Sequence, residues 1–404
     1  MRIIADLHIH SKYSRATSGS MDIPNISKWA KYKGISVIGT SDFTHPLWLK
    51  ELKKYLKPAG FGVYEHDNTY FFLTVELNCI YSRDNKTRKI HNLVLSPSIE
   101  IAEKINIQLA KFGNLAVDGR PILKLDSEYL LKLLLDISPE IMLIPAHAWT
   151  PHFSLFGSNS GFNTIEECFG TESGHIHAIE TGLSSDPAMN WRLSRLDNIS
   201  LISNSDAHSM KNIGREANVF EISDLNNSYR EITQALKTKD KNKFLYTIEF
   251  FPEEGKYHYD GHRLCNVCLS PEESMKNGNL CAKCGQKVTV GVLHRVEELA
   301  DRKNIDSKGR VPYKSLIPLE EIIADAMGSK KGNVPVESEY FKLINSCGNE
   351  FDILMEKTYQ ELVKFTAPRI AEGIIKMRQG KVKLNPGYDG EYGKILINWD
   401  DKFN

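Results

Sequence analysis

An α/β domain followed by a small cysteine module and a mainly helical region is the architecture this sequence predicts. Three observations carry the prediction. Short apolar runs alternate with amphipathic ones up to about residue 230, four cysteines fall in two close pairs between 265 and 284, and the chain beyond 310 reads as helical. Strand–helix alternation over such a length argues for a mostly parallel sheet, open or closed into a barrel.

The first strand is expected over residues 2–7, where Ile3, Ile4 and Ala5 lead into Asp6-Leu7-His8-Ile9-His10. A helix over 26–33 and a second strand over 36–39 follow. Strands over 70–81 and 90–95 flank the polar stretch YSRDNKTRK, which reads as a hairpin tip and breaks the alternation locally. Helices over 99–112 and 127–135 precede a strand over 141–145. Strands over 177–180, 201–203 and 217–222 then alternate with helices over 188–196 and 228–237. From 238 the texture changes. KTKDKNKF is a charged connector, FFPEEGKYHYDGHRL is rich in aromatic and turn residues, GVLHRVEELADR is an amphipathic helix, and a long helical run is expected around 350–378. The expected units are 1–238, 239–295 and 296–404.

A chain of 404 residues exceeds one ordinary core. With 41% hydrophobic and 25% charged residues it has a globular composition, and no run of about 18 apolar residues marks a membrane span. The first residues enter a strand without a basic-then-apolar leader, so the expected location is cytoplasmic. The 51 basic and 51 acidic residues cancel, which does not advertise a nucleic-acid partner but leaves room for a local basic surface. One stretch, 364–383, holds six cations against the single acid Glu372 and reads first as a solvated helix face.

The strand ends carry the chemistry. His8 and His10 close the first; VIGTSDFTHP ends the second with Asp42 and His45; LTVEL places Glu76 in the third. His91 opens the strand after the hairpin, His147 ends IMLIPAHAW, and Asp206 and His208 end ISLISNSDAH. In parallel α/β architectures such ends gather at one face. Imidazoles suit zinc or iron, and bridging carboxylates hold two cations close enough to activate water against a phosphoester. A single strand-end histidine is more often structural, and Asp42 could cap a helix. The recurrence, six of thirteen histidines at such positions, is what points to metal. His175 and His177 precede their strand and read as structural, whereas Glu180 at its end could support the basin or act as a base.

Cys265 and Cys268, twelve intervening residues, then Cys281 and Cys284 have the spacing of a structural zinc held by four thiolates, with no open position for catalysis. His258 and His262, just upstream, read as surface or packing residues, and Cys79, Cys168 and Cys347 as small hydrophobes.

Taken in order, His8-x-His10, Thr-Ser-Asp42, Glu76, His91, His147 and Asp206-x-His208 resemble the motifs of the PHP (polymerase and histidinol phosphatase) family. That resemblance implies a distorted seven-stranded β/α barrel with a phosphoesterase site of two or three divalent metals (Zn, Mg or Mn), with Asp206, Glu76 and His147 central to catalysis. Two departures stand out: Asp42 is followed by Phe43-Thr44 before His45, and residues 12–20 hold none of the further histidines some members use for a third metal. With the cysteine module and the phrases TSDFTHP, GVLHRVEELADR, LIPLEEIIADAMG and PGYDGEYGKI, nearly the whole chain resembles the endonuclease Q family. That implies a DNA repair nuclease that cuts 5′ to deaminated bases (uracil, hypoxanthine, xanthine) or abasic sites, leaving a 3′-hydroxyl and a 5′-phosphate, with a sliding clamp as a candidate partner. Reading a deaminated base requires its extrusion into a pocket. The loops beside the strand ends offer Trp149, Thr181, Gly182, Ser184 and Ser185 as its wall, and Arg15 as a phosphate contact. The alternatives are a PHP phosphatase acting on a small phosphomonoester and a non-catalytic DNA-binding or scaffolding protein.

Overall fold

The structure is a computed structural model that describes residues 1–303, 305 and 307–401. Its centre is a ring of seven strands: β1 (Arg2–Asp6), β2 (Val37–Gly39), β3 (Thr69–Arg83), β4 (Lys86–Ser96), β5 (Met142–Pro145), β6 (Ala178–Glu180) and β7 (Ser200–Ile202). β1, β2 and β3 pair in parallel, as do β6 and β7. The expectation of a mostly parallel sheet needs correcting on the other side of the ring. There β4 runs antiparallel to both β3 and β5, because the polar tip around Asp84 and Asn85, both in left-handed backbone, folds β3 and β4 into a long hairpin. Two further strands, β8 (Ala217–Glu221) and β9 (Phe244–Glu249), extend the sheet antiparallel from β1.

Where no ladder joins neighbours, single backbone and side-chain hydrogen bonds close the ring. Ala148 N–H donates to the Glu180 carbonyl. Leu7 N–H donates to the Asn204 side chain, and the Asn218 amide bridges the Ala5 and Ser203 carbonyls. One apolar cluster draws on all seven strands, through Ala5, Val37, Phe72, Leu93, Ile144, Ala178 and Ile202. Strand alternation then sets a polar layer above this floor. Glu76 lies on the face of Phe72, His91 on that of Leu93, and Glu180 on that of Ala178, each two or four residues along its strand.

The outer helices form where the alternation places them: α1 (Ile23–Lys33), α2 (Pro46–Tyr55), α3 (Ile99–Leu109), α4 (Ser127–Ile137) and α5 (Ser228–Thr238). Caps fix their starts: Asp22, Ser98 and Asp126 each accept a backbone N–H of the first turn. After the cysteine module come α6 (Val292–Leu299), α7 (Leu319–Ala326), α8 (Val334–Cys347) and α9 (Pro368–Arg378). The long run expected around 350–378 is interrupted, since Thr358 starts a new short helix with a capping box and Pro368 starts α9.

The C-terminal region is sewn to the barrel. Tyr313–Ser315 adds a parallel strand to β9, and the buried pair Lys33–Glu350 (2.6 Å) joins α1 to the segment after α8. The basic stretch at 364–383 is mixed: Lys364, Arg369 and Lys383 are exposed, whereas Lys376 and Arg378 turn inward. Lys376 is fully buried against the Asn398, Trp399 and Asp401 carbonyls, and Arg378 donates to the Ile353 and Leu354 carbonyls. No helix among the described residues is long and apolar enough to cross a membrane.

Candidate active site and zinc module

His8 and His10 are fully buried at the end of β1. Each ring is oriented through Nδ1, leaving Nε2 toward the basin. His8 Nδ1 lies 3.1 Å from both Glu180 oxygens, and Glu180 is itself held by the His147 N–H (2.8 Å) and the Asn204 amide (2.9 Å). His10 Nδ1 faces Asp42 Oδ1 at 3.3 Å. Asp42 also accepts Ser11 N–H, Ser11 Oγ–H and Ser14 Oγ–H through Oδ2, and Ser41 Oγ–H through Oδ1. A carboxylate behind an imidazole is how metal-binding histidines are fixed in tautomer and direction. Asp42 therefore stands behind His10, as Glu180 stands behind His8.

Glu76 is the hub. Its Oε2 faces His8 Nε2 (3.7 Å), His10 Nε2 (3.3 Å) and Arg120 Nη1 (3.1 Å), while Oε1 faces His91 Nδ1 (2.5 Å) and His147 Nε2 (3.0 Å). Burial alone would raise its carboxyl, but His91, Arg120, His10 and His147 hold it well below the usual carboxylate range. Asp206 Oδ1 lies 3.0 Å from His10 Nε2. The donor atoms form two groups, His8/His10/Glu76/Asp206 and Glu76/His91/His147, each within 4.8 Å. Glu76 belongs to both, the arrangement of a carboxylate bridging two cations. The buried atoms His8 Nε2, His10 Nε2, His91 Nε2 and Asp206 Oδ1 have no hydrogen-bond partner. Four orphaned acceptor-capable atoms around one carboxylate fit divalent metal, because buried polar groups are otherwise satisfied.

Backbone strain concentrates here. Ser41, Asp42, His147 and Asp206 all have positive φ (51°, 52°, 29° and 46°). Non-glycine residues hold that conformation at a cost, and such residues cluster at functional sites. Gly182 is tied to one of them: a Cβ there would sit 2.6 Å from His147 Cβ, so a side chain at 182 would displace the histidine.

Not every expected residue joins the two groups. His45 caps α2, stacks on Tyr13 (4.4 Å) and points Nε2 at the Ala116 carbonyl. His208 stays beside the basin, its ring tilted against His10 at 4.4 Å, with Nδ1 on the Asp206 carbonyl. The expected base-pocket wall also divides. Gly182 and Ser184 line the cavity over the basin, but Trp149, Thr181 and Ser185 are buried in the fold. Trp149 Nε1–H donates to Asn190, Thr181 Oγ–H bonds Ile202 and Glu249, and Ser185 Oγ–H donates to the Thr181 carbonyl. Arg15 is exposed on the turn after β1, where its N–H meets Asp118. Two residues emerge that the sequence does not single out, Arg120 on Glu76 and Asn204 on Glu180. Both sit in irregular segments where no periodicity marks them.

The cavity has a volume of about 1170 Å³ and runs from His91, His147, Asp206 and His208 to the C-terminal region. Its walls carry Arg215, Lys256 and Lys394 together with the aromatic rings of Tyr257, Phe341 and Tyr392. Lys211 and Lys331 also face it, each paired with glutamate.

In the cysteine module a histidine joins the cluster. Cys265, Cys281 and Cys284 gather with His262, and Cys268 stays outside and exposed. His262 Nδ1 lies 3.4 Å from Cys284 Sγ, near the edge of a tetrahedron with zinc–sulfur arms of about 2.3 Å. The reason is register. Asp260–His262 pairs antiparallel with Val267–Leu269 so that His262 faces Val267 and Cys268 faces Gly261, on the other side of the ribbon. Against burial, the Cys284 and Lys283 backbone N–H groups draw the Cys281 thiol down to about 6, ready to ligate as thiolate. The H-x2-C spacing from His262 to Cys265 is the sequence signal for this fourth ligand. Cys268→Ser should accordingly retain one zinc per chain, and His262→Ala should lose it, when both are measured by metal analysis after gel filtration. Zinc loss in Cys268→Ser alone would restore the four-thiolate set.

A β/α ring whose strand ends converge on carboxylate-bridged imidazoles defines the class of metal-dependent hydrolases. The family model described as MJ0043 C-terminal domain matches residues 318–381. The uncharacterized protein YqxK of Bacillus subtilis is 31% identical over 414 residues, covering 98% of this chain and 99% of its own. The uncharacterized protein MJ0043 of Methanocaldococcus jannaschii is 36% identical over 254 residues, 62% of this chain, and the match spans only 31% of that longer protein. Among solved structures, the lesion-specific endonuclease PfuEndoQ from Pyrococcus furiosus superimposes with a TM-score of 0.88 at 31% identity, over 98% of this chain and 96% of that one. Endonuclease Q in complex with a 27-mer duplex carrying an abasic lesion at the active site matches with a TM-score of 0.88 at 31% identity, over 99% and 98%. The chain belongs to the endonuclease Q family.

Proposed function

We propose that this protein is a metal-dependent DNA repair endonuclease that hydrolyses the phosphodiester 5′ to a deaminated base or an abasic site, leaving a 3′-hydroxyl and a 5′-phosphate. The observation that carries the reading is the cavity. It joins the Glu76-centred basin to a wall that carries aromatic rings and charges of both signs, with Arg215, Lys256 and Lys394 among them, a span larger than a phosphomonoester needs. The near full-length likeness to an endonuclease Q bound to abasic duplex supports the same substrate class.

In this reading His8, His10, Glu76 and Asp206 hold one divalent cation and Glu76, His91 and His147 a second. Bound there, the pair supplies Lewis acidity and lowers the pKa of water. Asp42 and Glu180 fix the imidazoles, and Arg215, Lys256 and Lys394 attract the DNA backbone. Gly182 and Ser184 stand where an extruded nucleotide would enter beside His147, and aromatic rings such as Tyr257 and Tyr392 offer stacking surfaces. His262, Cys265, Cys281 and Cys284 hold the structural zinc.

The test uses a labelled duplex with one uracil or one abasic site, with divalent metal or with chelator. The expected result is a single nick on the 5′ side of the lesion that needs metal and disappears in Asp206→Ala. Turnover of a small phosphomonoester with the duplex intact would instead favour a phosphatase. Lesion binding without a nick would favour a non-catalytic binder.

A further inference from the structure

We propose that Arg120 contacts the scissile phosphate and provides the third positive charge of the basin, so that two cations and one guanidinium face the substrate. The assignment rests on the endonuclease reading above.

The described residues gather two ligand groups, and the remaining candidates for a third do not converge. Asp42 is occupied by three serine hydroxyls, a backbone N–H and His10. His45 turns to the Ala116 carbonyl, and His208 stands without a carboxylate other than Asp206. Arg120 fills this side of the basin. Its Nη1 lies 3.1 Å from Glu76 Oε2, the oxygen that also faces His8 and His10, and Asp206 is a further charge acting on it.

The backbone that presents Arg120 is pinned. Gly119 N–H donates to the Tyr13 carbonyl, and Arg120 N–H donates to Asp118, which also accepts the Arg15 N–H. Gly119 has no room for a side chain, because a Cβ would lie 2.4 Å from Asp42 Oδ2 and 2.5 Å from Ser14 Oγ. The loop thus rests on the same turn that orients His10, which sets the guanidinium relative to the ligands. Among the described residues only Nη1 has a hydrogen-bond partner, and the side chain keeps 24% exposure. An arginine fork has five donors in a geometry matched to phosphate oxygens. Neutralising Glu76 engages one of these nitrogens and leaves the others available beside the ligands.

The experiment compares the full-length wild type with Arg120→Lys and Arg120→Ala. It measures single-turnover cleavage of the uracil and abasic duplexes, lesion-duplex affinity under chelation, and metal content by mass spectrometry. Expected are two basin cations plus one zinc in all three proteins and unchanged duplex affinity. The cleavage rate should fall about 10²–10³-fold in Arg120→Ala, the range for removal of one charge-stabilising donor. Arg120→Lys should fall less, and added guanidinium should restore part of the Arg120→Ala rate. Wild-type cleavage retained in Arg120→Ala overturns the assignment. So does loss of basin cations from that variant, which would make Arg120 a clamp on Glu76, or a third basin cation in the wild type. A wild type that cuts neither duplex overturns the endonuclease reading itself and this assignment with it.

Discussion

Glu76→Gln is expected to empty both halves of the basin at once. One oxygen of Glu76 serves His8 and His10, the other serves His91 and His147, and the carboxylate is fully buried. A glutamine of the same shape has one acceptor and no charge, so it cannot bridge two cations or balance the imidazoles and Arg120 around it. Metal analysis should find one zinc per chain and neither basin cation, and nicking of the uracil duplex should fall by at least about 10³-fold. Because the zinc lies in a separate module, its retention together with an unchanged circular dichroism spectrum would show that the chain still folds. A variant that keeps both basin cations would remove Glu76 from the bridging role.

The second large effect concerns stability. Glu249, at the end of β9, is fully buried behind the loop that carries Gly182. It accepts hydrogen bonds from Thr181 and Ser203 (3.1 and 3.2 Å) and from Thr247. Burial above all, with Asp186 nearby, pushes its carboxyl from 4.5 up to about 8. Glu216 beside it is raised by burial and by Glu249, and its Oε2 has no partner. The sign follows from proton counting. Below pH 4.5 the folded and unfolded chains both hold the Glu249 proton and nothing is lost. Between 4.5 and about 8 the unfolded chain releases it and the folded chain does not, so stability falls as pH rises through that window. Glu249→Gln keeps the neutral shape and removes the penalty. It should raise stability at pH 8 by a few kcal/mol, on the order of the linkage for such a shift, and leave stability near pH 4.5 almost unchanged. Thermal midpoints of both proteins across that range check this, and an equal effect at both ends would refute it.

How much of this was legible follows from the physics of each element. The seven-strand core reads from apolar runs bounded by turns, and the hairpin tip at 82–86 is visible as a polar break. Its further consequence, the antiparallel pairing of β4 with β5, is not, because that pairing joins segments far apart in sequence. His8, His10, His147 and Asp206 stand out because each follows an apolar strand, and Glu76 because it interrupts one. His91 sits in the middle of β4 rather than at its start, and only the register Asn78↔His91 returns it to Glu76. Trp149, Thr181 and Ser185 share loops with cavity residues, and the sequence alone does not say which side chains turn inward.

The residue types and their order determine a β/α chain, a set of metal-ligating side-chain types at strand ends and a module of paired cysteines. These depend on local alternation and on the chemistry of each side chain, both of which are written residue by residue. Only the tertiary structure decides that Asp42 and Glu180 stand behind imidazoles, that His262 rather than Cys268 lies among the other three cysteines, and that Arg120 reaches Glu76. Each of those is a contact between segments far apart in sequence, fixed by sheet register and loop packing.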